Sequence, residues 1–242
     1  MIFLFTDFGS ADIYVGQVKA VLAASAPGIP VIDLLHDAPP FNVTAGAHLL
    51  AALATRMGAG DVAIAVVDPG VGGERDAVAI CAGGRWFVAP DNGLASVAAA
   101  RCEGPDVYTI GWRPDALSAS FHGRDLFAPV AAMLARGDRA GARLGRKSAL
   151  DTDLGGEDLA EIVYLDHYGN AMTGLRAGGI ATGVRLGIAG CRIAHAPVFS
   201  AVRSGEPFWY ENSLGLVEVA GNATSAARQR GLTVGQRIEI GA

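Results

Sequence analysis

Val62-Ala63-Ile64-Ala65-Val66-Val67, followed at once by Asp68-Pro69-Gly70-Val71-Gly72-Gly73, decides the fold class. A strand with one wet face alternates apolar and polar residues; a strand covered on both faces does not. Six apolar residues without alternation fit the second kind. The run is too short for a helix, and Pro69-Gly70 ends it. Residues 62–67 are therefore read as a central strand of a mostly parallel sheet.

Working outward, strands alternate with helical patterns. Residues 2–5 read as a strand, 12–26 as a helix, 31–34 as a strand and 42–57 as a helix. Beyond the central run, 78–81 and 86–89 look like a hairpin, and 93–101 and 124–136 look helical. This order predicts an N-terminal doubly wound, mostly parallel α/β sheet with helices on both faces. The pattern changes after Gly137. Residues 138–158 read as a polar, Gly-rich linker. Residues 162–166, 183–188, 217–219 and 237–240 read as short strands between Gly/Asn turns. A smaller C-terminal antiparallel β-barrel-like domain is expected there. The predicted division is 1–150 and 151–242.

Composition narrows the function classes. Of 242 residues, 51% are hydrophobic and 18% charged, enough to build a core and too apolar for a disordered chain. The net charge of −5 and the lack of a basic run argue against nucleic acid as a partner. Apolar stretches at 20–32 and 43–54 fall short of the roughly 20 residues of a membrane span. The first five residues lack a basic flank and meet Thr6-Asp7 too early for a signal peptide. A cytoplasmic protein without a membrane partner is expected. Cys81, Cys102 and Cys191 are scattered without metal-ligand spacing, so they are read as reduced and structural, and no metal is expected.

In open parallel sheets, ligands bind past the carboxyl ends of the strands. Three loops fall there: Thr6-Asp7-Phe8-Gly9 with Asp12, Asp68 to Gly73 with Arg75, and Pro90-Asp91-Asn92-Gly93. A fourth segment, Phe121-His122-Gly123-Arg124-Asp125, precedes a helix. Each has a bland reading. Asp7 or Asp12 suits a helix cap, Asp68 and Arg75 a surface ion pair, and Asp91-Asn92-Gly93 an ordinary turn. A lone His122 is more often structural than catalytic.

Taken in order the segments carry more. To them are added Asp12-Ile13-Tyr14-Val15-Gly16, Phe127-Ala128-Pro129, Asp166-His167-Tyr168-Gly169-Asn170 and Asn212-Ser213-Leu214-Gly215. The series resembles the S-adenosylmethionine hydroxide adenosyltransferase family, relatives of fluorinase and chlorinase, from residue 1 to about 240. The resemblance implies hydrolysis of S-adenosylmethionine to adenosine and methionine by water at the 5′ carbon, with no cofactor. It implies a homotrimer whose site lies at the subunit interface, with Asp7 and Ser213 of one pocket from different chains. Asp7 would accept both ribose hydroxyls, as the two oxygens of a carboxylate can. Asp12 and Asp166 would hold the methionine amino group and Ser213 its carboxylate. Asn170 and the backbone around Ala223 would meet adenine, and Phe121 would lie against the ribose. Asp68, Arg75 and His122 match the triad of the water-using branch.

Two alternatives stand beside this reading: halide transfer, chlorinase-like, on the same scaffold, and adenosyl-ligand binding without turnover. Where fluorinase has a serine after the aromatic pair, this chain has Gly123. Gly174 replaces a common asparagine, and Leu214 an arginine of fluorinase.

Overall fold

The structure, a computed structural model, describes residues 1–241. Its chain divides into two compact units, Met1–Gly156 and Glu157–Ala242.

The first unit is built on β1 (Ile2–Thr6), α1 (Ile13–Ser25), β2 (Val31–Leu35), α2 (Val43–Leu53) and β3 (Val62–Val66). It continues with β4 (Ala77–Ala82), β5 (Arg85–Pro90), α3 (Ser96–Ala100), β6 (Asp106–Ile110), α4 (Ala128–Ala135) and β7 (Leu144–Lys147). One seven-stranded sheet runs β2-β1-β3-β5-β4-β6-β7. β3 is parallel to β1 on one side and to β5 on the other, with Val62 level with Ile2 and Trp86. All five of its residues are buried, as a central strand requires. The β4–β5 hairpin and the β6 and β7 pairings are antiparallel, so the sheet is mixed but mostly parallel.

Strand periodicity sends alternate residues to opposite faces. Ile2, Leu4, Ile64 and Val66 join a core with Val18 and Leu22 of α1 and Val130 of α4. Gly46 of α2 lies against Phe5 and Val67, whose side chains fall on the other parity. Asp12 and Asn42, at the expected helix starts, are caps: their side chains accept from Ile13 N–H and Ala45 N–H.

The stretch 138–158 is not a plain linker. It contains β7, hydrogen-bonded to β6 at the sheet's edge. Leu-Gly-Arg-Lys offers one apolar side chain, so an edge strand there leaves no alternation to read. Beyond it, Asp151 N–H and Leu154 N–H donate to the Asp91 carboxylate and the Ser96 hydroxyl.

The second unit holds β8 (Leu159–Leu165), β9 (Ala171–Arg176), β10 (Leu186–Ile188), β11 (Cys191–Ile193), β12 (Pro207–Glu211), β13 (Leu216–Gly221), α5 (Ala226–Arg230) and β14 (Glu239–Ile240). Two antiparallel sheets, β12-β13-β9-β8 and β11-β10-β14, share a core with Ile162, Leu186, Trp209 and Val219. No closed barrel is shown among the described residues. Gly174 of β9 pairs with Leu159 of β8. A Cβ there would stand 2.7 Å from Leu159 Cβ and 2.8 Å from its carbonyl oxygen, so the asparagine of the family pattern would not fit without movement. Among the described residues, no helix is long and apolar enough to cross a membrane.

Candidate active site

The strand exits of the first unit converge as expected for a parallel sheet. Asp7 directly follows β1, Asp68 lies two residues past β3, and the segment before α4 delivers Phe121 and His122. Asp7, Asp12, Asp68, Phe121 and His122 line one cavity of about 380 Å³. Arg75 stands behind it. Its Nε donates to Asp68 Oδ1 at 2.9 Å and its Nη2 to Asp68 Oδ2, a bidentate pair. The same Nη2 meets His122 Nδ1 at 3.1 Å. The pair is shielded from water, with 13% of the Arg75 side chain and 3% of the Asp68 side chain exposed. Asp68, Arg75 and His122 are thus one connected group.

This contact fixes the tautomer of His122. A guanidinium can only donate, so Nδ1 must be the acceptor and a neutral ring carries its proton on Nε2. Burial and the positive charge of Arg75 lower the pKa of His122, so the neutral ring is favoured. His122 also borders a second hollow of about 430 Å³, lined by Arg75, Arg113 and Glu74. The chain leaves His122 in a π-turn, Gly123–Phe127, before entering α4. Such turns are often found where a helix carries function.

Asp7 accepts Phe41 N–H at 3.2 Å. Burial nevertheless outweighs that bond and raises the Asp7 pKa. Phe41 adopts φ +60° while 75% exposed, a left-handed conformation that a bulky residue rarely takes. Its ring lines the cavity. Phe8, Tyr14 and Phe121 form an aromatic triangle with centroids 5.4–5.8 Å apart. Sequence reasoning gave no role to Phe8, Tyr14 or Phe41. Phe8 and Tyr14 sit inside the quoted motifs, but nothing around Phe41 signals a site. Asp12 does double duty, capping α1 and facing the cavity.

In the second unit, Asn170 and Ala223 line a hollow of about 510 Å³. Asp166 borders it through Asn170: its two oxygens accept Asn170 N–H at 2.8 Å and the Asn170 amide at 2.9 Å. Ala223 is left-handed, at φ +55°. Ser213 lies in the turn between β12 and β13. There, Asn212 Oδ1 accepts Leu214 N–H and Leu216 N–H while Asn212 Nδ2 donates to the buried Glu218. Burial raises the Glu218 pKa against the hydrogen bonds of Asn212 and Tyr210.

One group of carboxylates could suit a cation: Asp76, Asp91 and Asp151 lie within 4.8 Å of one another. Lys147 already fills that role, its Nζ at 3.1, 2.6 and 2.8 Å from the three.

Family models for the SAM hydroxide adenosyltransferase N-terminal domain and C-terminal domain match residues 2–144 and 160–239. The chain belongs to this adenosyltransferase family. A relative from Thermus thermophilus, named (R)-S-adenosyl-L-methionine hydrolase, is 39% identical, with 99% of this chain and 98% of the relative covered. A fluorinase from an Actinoplanes species is 26% identical over 97% of this chain and 95% of the relative. A crystal structure of an uncharacterized conserved protein from Thermotoga maritima superposes with a TM-score of 0.90 at 30% identity, covering 99% of this chain and 100% of that one. Within the adenosyltransferase family, identity is thus higher to the water-using relative than to the fluorinase.

Proposed function

We propose that the protein hydrolyses S-adenosylmethionine to adenosine and methionine. The observation that carries this reading is the Asp68–Arg75–His122 group at the wall of a cavity that also holds Asp7. Water's oxygen forms a bond to the 5′ carbon as the carbon–sulfur bond breaks, with that electron pair leaving on the methionine sulfur. The sulfonium itself activates the carbon, so no cofactor is called for. One proton must leave the water. Arg75 occupies His122 Nδ1, and Nε2 already bears hydrogen, so we assign the proton to Asp68. Its oxygens keep lone pairs beyond those used by Arg75. The attacking water turns strongly acidic as its bond to carbon forms, so a weakly basic carboxylate suffices. His122 and Arg75 then hold Asp68 and the water in line.

Asp7 accepts the ribose hydroxyls, with Phe121 against the sugar. Asp12, Asp166 and Ser213 hold the methionine end, and Asn170 and the left-handed Ala223 backbone meet adenine. We infer a homotrimer in which the first unit of one chain and the second unit of the next complete each site. The trimer rests on the family resemblance, whereas the reading of the units as an α/β domain (1–150) with helices on both faces and a barrel-like β domain (151–242), and the cytoplasmic location, rest on the sequence pattern and composition.

Incubating purified protein with S-adenosylmethionine, with and without chloride, and separating the nucleosides tests this. Adenosine and methionine should form in equal amounts under both conditions. 5′-Chloro-5′-deoxyadenosine as the main product, or intact substrate held without turnover for hours, would overturn it.

A further inference from the structure

The Pro90-Asp91-Asn92-Gly93 turn takes no part in the reaction above, yet it grips both ends of the Asp68–Arg75 pair. β3 and β5 are parallel neighbours, so their exits lie side by side. Asn92 reaches across that gap. Its Nδ2 donates to the carbonyl of Val67 at 2.9 Å, the residue bonded directly to Asp68. Its Oδ1 accepts Leu94 N–H, which fixes the amide's orientation. Val67 is fully buried, so its carbonyl beyond the last sheet pairing needs such a partner.

The other end is held by the neighbouring residue. Asp91 N–H donates to the Asp76 carbonyl at 3.0 Å, and Arg75 Nη1 donates to that same oxygen at 3.2 Å. The guanidinium that pairs with Asp68 therefore rests on a carbonyl that Asp91 holds. The Asp91 side chain, with no exposed surface, accepts Lys147 Nζ at 2.6 Å. Burial opposes the charge on Lys147, but hydrogen bonds to Asp151, Asp91 and Asp76 outweigh it and raise its pKa. Gly93 completes the turn at φ +96°, and a Cβ there would meet Thr152 Cγ2 at 3.0 Å, so the turn has little room to slide.

We propose that Asp91 and Asn92, locked by Lys147, are positioning residues that set the Asp68–Arg75 pair against the attacking water. The inference rests on the reading that this pair serves the hydrolysis. Small displacements at a reacting centre can cost on the order of a hundredfold in rate, whereas contacts to the nucleoside are made by other residues.

Asn92→Asp keeps the side chain's shape but places an oxygen against the Val67 carbonyl. It should lower kcat about ten- to a hundredfold while the dissociation constant for adenosine, measured by calorimetry, stays near the wild-type value. Lys147→Met should show the same split through Asp91 and Asp76, and it leaves Asn92 intact should the first variant fold poorly. Wild-type kcat per folded molecule in both variants would overturn the proposal. So would a fall in kcat matched by an equal loss of adenosine affinity. A wild-type protein that makes no adenosine from S-adenosylmethionine would instead refute the hydrolase reading itself.

Discussion

Arg75 Nη2 donates to His122 Nδ1 at 3.1 Å, and this single contact decides what the imidazole can do. With that nitrogen engaged, the neutral ring is a donor at its other end. Asp68→Asn should therefore cost more than His122→Gln, whose amide oxygen can still accept from Arg75. Initial rates of adenosine formation should fall on the order of 10²- to 10⁴-fold in the first variant and about tenfold in the second. A larger loss in His122→Gln would return the proton to the histidine.

The same contact sets the pH dependence. Burial and Arg75 lower the His122 pKa below the ordinary 6.5. Protonating Nδ1 would put an N–H against the guanidinium, so activity requires the neutral ring. Turnover should hold steady as pH falls through 6.5 and decline only at lower pH. Stability follows the same sign. Between the depressed pKa and 6.5 the unfolded chain binds more protons, so this group's contribution falls as pH drops through that window. Rates and thermal midpoints between pH 5 and 8 check both statements.

Phe41 combines a left-handed backbone with an exposed ring. Asparagine tolerates that conformation far better than phenylalanine. Phe41→Asn should gain about 1 kcal/mol of stability, raising the thermal midpoint by about 2–4 °C. It should also weaken adenosine binding, because the ring is lost from the cavity wall. Scanning calorimetry and a ligand titration would show both effects in one preparation.

Gly174→Asn restores the residue common in the family but places a Cβ 2.7 Å from that of Leu159. Overpacking between β8 and β9 should cost about 1–3 kcal/mol. Denaturant unfolding of the variant would measure it. A neutral result would mean that Leu159 yields easily.

Much of this was legible in the sequence. The unbroken run from Val62 to Val67 announced a strand with neighbours on both sides, and β3 has them. Asp7 and Asp68 stood out singly as carboxylates past strand exits, but only the family resemblance joined them to His122, which precedes a helix. Other features had no local signal. β7 carries one apolar side chain and is held by its backbone, so its residues read as linker. Asn92 looked like an ordinary turn asparagine, because its partner carbonyl lies 25 positions earlier. Phe41 owes its place to backbone geometry that composition does not encode. The tautomer of His122 depends on which of its ring nitrogens faces Arg75, a fact of three dimensions only.

Gly123 lies beneath the Phe8 ring, with 3.0 Å between a Cβ built there and Phe8 Cζ. That crowding bears on ancestry. A lineage that placed a serine at 123 would have to move the Phe8 ring by a few tenths of an ångström. The room at 123 is thus set from position 8, so the shape of the nucleophile's seat belongs to two sites rather than to one codon.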